Sequence, residues 1–338
     1  MIKLENITKS YDGITAVKDL TLEVKEGEFV VLLGPSGCGK TTTLKMINRL
    51  ITPTSGRIYV EGQDISTVNP IELRRQIGYV IQRIGLLPHM TISDNIALVP
   101  RLKGWSKDKR IKRADELLDM VDLDPETYRD KYPHQLSGGE RQRIGVARAL
   151  AVDPPILLMD EPFGALDPIT RVQLQDEFLK LEEQVKKTVV FVTHDMDEAV
   201  RLADRIVIMD DGQLHQYATP MEMLRHPADE FVAQFMGGDR FFRQLKLLTV
   251  RDVMVRDVPG ARESPEAIPQ ALEELERSMG DSPHSISSEC RLDIALKEML
   301  TAGKDQLSVE DERGTSIGIL NTECFHAVLG NSSQREEE

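Results

Sequence analysis

The sequence predicts an α/β protein: a parallel sheet covered on both faces, interrupted by a helical insertion and followed by a smaller, acidic α+β unit. Three observations carry this. Short apolar strands such as Val30–Leu33 and "PILLMD" alternate with helical runs, and strands buried on both faces belong to parallel sheets. From about Pro88 to Ala151 the pattern is instead helical and charged, as in "SKDKRIKRADELLDMVDL". From residue 248 onward 9 Lys/Arg meet 19 Asp/Glu, a compositional shift that marks a separate unit.

In chain order, the segment to about residue 65 reads as strands with turns at "YDG", "KEGE" and "TPTSGR". Val30–Leu33 runs into a glycine-rich loop and then into the helical "KTTTLKMINRL". After the helical insertion, "PILLMD", "TVVFVTHD" and "RIVIMDDGQL" read as strands separated by helices. A boundary is expected near "MGGDRFFRQLKLL", residues 236–248, with 241–248 as the linker. The tail then reads strand, helix, strand, turn, strand, helix. The last residues, 331–338, carry "QREEE" and are expected to be a disordered end.

Bulk properties exclude several classes. The 338 residues are 40% hydrophobic and 29% charged, with a net charge of −14. Neither part has the basic footprint that nucleic-acid backbones require. No apolar run approaches the roughly 18 residues of a spanning helix, and "MIKLENITKSYDG" has no signal-peptide core; a cytoplasmic chain is expected. Cys38, Cys290 and Cys324 have no paired metal spacing, which argues against a zinc site or a disulfide frame.

The chemistry starts at "GPSGCGKT", Gly34–Thr41, which fits G-x-x-x-x-G-K-[ST] between a strand and a helix. Gly34, Gly37 and Gly39 let backbone N–H groups turn inward around phosphate oxygens, and the helix N-terminus adds its positive end. Lys40 is expected to reach the β- and γ-phosphates and Thr41 to ligate Mg²⁺. In "ILLMDEP" the strand ends at Asp160, a direct or water-bridged Mg²⁺ partner, and Glu161 beside it can polarise an attacking water. "LSGGERQR" then places two glycines after a serine at a helix start, a second anion-binding nose. One chain needs one phosphate loop per ATP, so the second nose makes sense if it completes a partner's site.

Phosphate loop, "LSGGE", "LLMDE" and "VTHD" in this order resemble the ATP-binding subunits of ABC transporters, over residues 1–240. The resemblance implies an α/β P-loop NTPase core with an antiparallel β subdomain and a helical subdomain at about 88–152. It implies ATP contacts from Tyr11, stacked on adenine, and from Gly34, Pro35, Ser36, Gly37, Cys38, Gly39, Lys40, Thr41 and Thr42. Glu161, His194 and Gln82 take the catalytic roles, with Thr41, Gln82 and Asp160 around Mg²⁺. Ser137, Gly138, Gly139 and Asp167 would contact the nucleotide of the other subunit. The implied partners are a second copy, integral membrane permease subunits and a solute-binding protein. The expected location is the cytoplasmic face of the membrane.

A soluble ABC ATPase acting on nucleic acid or ribosomes is the alternative class; one cassette, no sustained heptads and an acidic surface count against it. "RRQIGYVIQRIGLLPHMTISDNIALVPRLKGWSK" and "MGGDRFFRQLK" look like importer cassettes for glycine betaine, carnitine or choline, with other amino-acid or amine importers open. In the tail, "TVRDVM" and "VEDERGTSIGIL" resemble a CBS domain over 249–330. The first unit is cut short, and Asn321 and Cys324 stand where the family carries a Ser/Thr and a ribose-holding Asp. Dimer contacts, nucleotide sensing and a response to ionic strength all stay open for it.

Overall fold

The computed structural model describes residues 1–82, 85–164, 166–237, 240–255 and 285–333. The chain divides into two compact units, Met1–Pro220 and Met221–Glu338.

The first unit contains two sheets. Strands β1 (Ile2–Tyr11), β2 (Ile14–Val24), β4 (Ser55–Val60) and β5 (Gln63–Asp64) form an antiparallel sheet in the order β2-β1-β4-β5. The alternating pattern of β1 and β2 places Ile2, Leu4, Ile7, Leu20 and Leu22 inward, each at most 2% exposed. The second sheet has the order β10-β9-β3-β8-β7-β6, with β3 (Phe29–Leu33), β6 (Ile77–Val80), β7 (Ile156–Asp160), β8 (Thr188–Thr193), β9 (Arg205–Asp210) and β10 (Gln213–Ala218). Every residue of β3, β7 and β8 is buried, as expected of a sheet covered on both faces. β10 runs antiparallel to β9, although "RIVIMDDGQL" reads as one strand. The turn is Asp211-Gly212, both at positive φ, the two-residue hairpin signature that the apolar run before it obscured.

Helices α1 (Lys40–Ile47) and α2 (Pro70–Gln76) belong to the core; α3 (Ile92–Ile96), α4 (Leu98–Leu102), α5 (Lys107–Met120), α6 (Pro125–Tyr128) and α7 (Gly138–Ala149) make the helical insertion, and α8 (Pro168–Val185) and α9 (Met196–Leu202) follow. The insertion buries Ala114, Leu117 and Leu118 of α5 and Ile144 and Ala147 of α7, two helices that pack together. Among the described residues no helix is long and apolar enough to cross a membrane.

The second unit begins at Met221, ahead of the boundary expected within residues 236–248. Helices α10 (Pro220–Arg225), α11 (Glu230–Met236), α12 (Arg240–Leu247) and α13 (Val250–Val253) precede strand β11 (Ser285–Ser287), helix α14 (Leu292–Ala302), strands β12 (Gln306–Glu310) and β13 (Ser316–Asn321), and helix α15 (Thr322–Ser333). Residues 241–248, expected as a linker, are mostly α12. Phe241, Leu245 and Leu248 recur at helical spacing, and Leu245 is fully buried in a core with Val250, Leu292, Ala295, Val309 and Leu320. The charged residues between them disguised this period as a basic patch. β11 pairs parallel with β12 and β12 antiparallel with β13, in the order the sequence suggested. Val255 extends the sheet by exchanging hydrogen bonds with Ile319. The helix-like "AIPQALEELERSM" and the final residues 334–338 lie outside the described residues.

Candidate functional site

Strand register gathers motifs that are far apart in sequence. Leu33 pairs with Thr193, and Asp160 with Val192, so β3, β7 and β8 end level with one another. The phosphate loop, Asp160-Glu161 and His194 therefore open at one carboxyl edge, where open α/β sheets place their ligands. β6 lies beside β7, with Val80 opposite Met159, and delivers Gln82 to the same edge.

In the loop, Gly34, Gly37 and Gly39 have φ of 151°, 87° and 104°. A Cβ on Gly34 would sit 2.1 Å from the Met209 carbonyl, and one on Gly39 2.6 Å from that of Ala16. Gly37 meets nothing within 4 Å and, with Ser36, forms the exposed rim. Gly39 precedes α1 without any side-chain cap, so the first N–H groups of α1 have no internal acceptor and suit an anion. Buried Lys40 donates to the carbonyls of Gly34 (2.6 Å) and Pro35 (2.8 Å), which holds an ammonium beneath the rim. Cys38 is buried with Sγ 3.7 Å from Lys40 Nζ; burial pushes its thiol up. Thr42 is half-buried in the first turn of α1.

Thr41 Oγ1 donates to Asp160 Oδ1 at 2.8 Å. Burial raises the Asp160 carboxyl above the usual carboxylate range, partly offset by the Thr41 hydrogen bond and by Lys45. A hydroxyl and a carboxylate 2.8 Å apart, beside a phosphate cradle, form the hard oxygen set that suits Mg²⁺, which takes its remaining ligands from water and phosphate.

Glu161 has φ 43°, a left-handed backbone unusual outside glycine. Its N–H donates to Val192 O at 3.0 Å. This turn points consecutive carboxylates at different partners: Asp160 at Thr41, Glu161 at Gln82 and His194. Gln82 Nε2 donates to Glu161 Oε2 at 3.0 Å, and His194 Nδ1 lies 3.5 Å from the same oxygen. His194 is half exposed, whereas the Glu161 side chain is 21% exposed. The three expected catalytic residues are thus brought together on one oxygen.

The second nose is ordered locally. Ser137 caps α7 by accepting from Glu140 N–H, and Glu140 Oε2 accepts from Ser137 N–H at 2.7 Å. This capping box is legible as S-x-x-E in "LSGGE". Ideal Cβ atoms on Gly138 and Gly139 would lie nearest Leu166 and Thr170. Asp167 caps α8 by accepting from Thr170 N–H at 3.1 Å, and the Thr170 hydroxyl together with that N–H lowers its carboxyl. Tyr11 ends β1, is 42% exposed, and has Lys9 Nζ 4.7 Å from its ring centre. Residues outside the expected set steady the His194 loop. Asp195 caps α9 and pairs with Arg171 at 3.5 Å, and buried Gln175 donates to buried Glu198 at 2.9 Å. The helix-start pattern D-x-D-E was the available signal for Asp195.

Comparison with known proteins agrees with this geometry. A family model described as "ABC transporter" matches residues 17–164. The chain is 50% identical over 326 residues to the glycine betaine/carnitine/choline transport ATP-binding protein OpuCA of Bacillus subtilis, covering 96% of this chain and 79% of that protein. It is 44% identical over 322 residues to the glycine betaine uptake system ATP-binding protein YehX of Escherichia coli, covering 95% and 97%. Among solved structures, an ATP-binding cassette in a dimeric post-hydrolysis state bound to ADP and phosphate matches with TM-score 0.59 and 41% identity, over 65% of this chain and 99% of that one.

Proposed function

The chain belongs to the ABC transporter family as an ATP-binding ATPase subunit, and from that premise we propose that it drives uptake of a quaternary amine osmoprotectant: glycine betaine, carnitine or choline. The observation that carries the catalytic part is the convergence of Gln82 and His194 on Glu161 Oε2, level with the phosphate loop. Lys40 and the α1 N-terminus neutralise the polyphosphate. Thr41 and Asp160 would hold Mg²⁺, which would supply charge neutralisation to the phosphates when bound. Glu161 accepts the proton of the attacking water while His194 steadies the γ-phosphate, so the barrier falls through positioning and electrostatics. Gln82 reports the state of that carboxylate to the segment after β6, which is read here as the permease-facing one.

In this reading two copies bind head to tail with two ATP molecules between them, each Ser137–Gly139 nose and Asp167 facing the other copy's nucleotide. The pair is held at the cytoplasmic face by membrane permease subunits and served by a solute-binding protein. The solute assignment is supported by what the relatives transport, because nothing in this chain touches the solute. The C-terminal unit is read as a CBS-like regulatory module with a degenerate ligand site. The test is transport in cells lacking this chain. Uptake of labelled glycine betaine, carnitine or choline at high osmolarity should fall to background and return with the gene. Undiminished uptake of all three would remove the assignment.

A further inference from the structure

A carboxylate stands where the proposed reading puts an approaching phosphate. Glu140 is the third residue of α7, and its charge would repel the polyanion that Gly138 and Gly139 are meant to greet. Both of its oxygens are occupied. Oε2 accepts from Ser137 N–H at 2.7 Å, and Oε1 accepts from the hydroxyl of Tyr128. Tyr128 ends α6, a different element from α7, so this second bond is tertiary. The segment bearing Tyr128 is itself clamped. Ile92 N–H donates to Lys131 O at 2.8 Å, Ser93 N–H to Arg129 O at 3.0 Å, and Arg129 pairs with Asp115 at 3.4 Å. Lys131 Nζ lies 3.8 Å from the Tyr128 ring centre, adding positive charge behind the hydroxyl.

We propose that Tyr128 is a positioning residue for ATP contact across the dimer: it pins the Glu140 carboxylate back, so that Ser137, Gly138 and Gly139 meet the partner's nucleotide without a free anion beside them. The capping box alone tethers Oε2 and leaves Oε1 unbound; the fixed hydroxyl holds the second oxygen as well. The Glu140 carboxyl is held below its usual range with the Tyr128 hydrogen bond as the largest cause. The charge is therefore permanent at neutral pH, and restraint rather than protonation must manage it. The proposal rests on the reading that this nose acts on the partner's ATP.

The experiment uses the full chain and measures the chain concentration that gives half-maximal specific ATPase activity, a report on ATP-driven pairing. Fluorescent-nucleotide affinity of the dilute chain and melting temperature are measured alongside. Tyr128→Phe should raise that concentration about tenfold, the weight of one charge-assisted hydrogen bond, with nucleotide affinity of the dilute chain unchanged and the melting temperature lowered by no more than a few degrees. In a Glu140→Gln background the charge is gone, and adding Tyr128→Phe should shift the concentration less than about twofold, a coupling that a merely structural tyrosine would not show. Equal effects of Tyr128→Phe in the two backgrounds would overturn the proposal. So would a loss of nucleotide affinity in the dilute chain that accompanies the shift. Ser137→Ala separates the two levels. If it impairs pairing and Tyr128→Phe does not, the tyrosine role falls; if neither does, the cross-dimer reading itself falls.

Discussion

Helix α1 of the first unit and helix α15 of the second start in opposite ways. Gly39 leads into α1 with no capping side chain. Asn321 leads into α15, and its Oδ1 accepts from both the N–H and the thiol of Cys324, at 3.1 and 3.2 Å. The turn before β13 is equally self-contained. The Asp311 carboxylate accepts from the N–H groups of Arg313 and Thr315, both at 2.9 Å, and those bonds depress its pKa. A helix start whose donors lack internal acceptors is prepared for an anion; one whose donors are consumed is prepared only to fold. The α15 start thus has a local acceptor for one of its donors that the α1 start lacks.

The largest test of that contrast is Glu161→Gln. Glutamine keeps a partner for Gln82 but cannot take a proton, so phosphate release should fall by about two to four orders of magnitude. Nucleotide binding, followed by fluorescence titration, should persist. Normal turnover would mean that the convergence at Oε2 is structural only.

Gly34→Ala probes the loop itself. Its Cβ would strike the Met209 carbonyl at 2.1 Å, so urea unfolding should show a loss of about 2–4 kcal/mol together with weakened ATP binding. Gly37→Ala meets no neighbour and should lose only about 1 kcal/mol, from its positive φ. Equal effects would break the distinction between loop floor and rim.

Asp160 offers a pH test. Burial raises its folded-state pKa above the unfolded value of 3.8, so its favourable contribution is complete below the unfolded pKa and is lost as pH rises through the folded one. The metal-free protein therefore carries a penalty at neutral pH. The melting-temperature gain from Mg²⁺ with nucleotide should then be greater at pH 7 than near pH 4. Asp160→Asn should raise metal-free stability by about 0.5–1.5 kcal/mol while turnover is lost, a trade expected of a site strained for function. A destabilised Asn variant would contradict the burial argument.

The tail supplies a test that should leave the site untouched. Asn321→Ala removes the α15 cap and should cost about 0.5–2 kcal/mol of that unit's stability, read from thermal unfolding of the full chain. Nucleotide affinity at the phosphate loop should not change. A change would tie the capped helix start to the site and collapse the comparison.

Local pattern alone determined several features of this protein. The phosphate loop, the S-x-x-E capping box after Leu136 and the apolar strand ending in Asp160 are set by residues a few positions apart, and such features read directly from spacing. The alternation of buried strands and helices likewise followed from periodicity. Tertiary structure decided the rest. Only the parallel register of β3, β7 and β8 sets Thr41 against Asp160 and His194 against Glu161, and only the left-handed turn at Glu161 separates two adjacent carboxylates. The boundary near residue 240 misread α12, because the burial of Leu245 depends on partners scattered from Val250 to Val328. Tyr128 carries no signature at all; its bond to Glu140 joins two helices. Short-range hydrogen bonding leaves a trace in spacing, whereas contacts made by sheet register and helix packing leave none until the chain is folded.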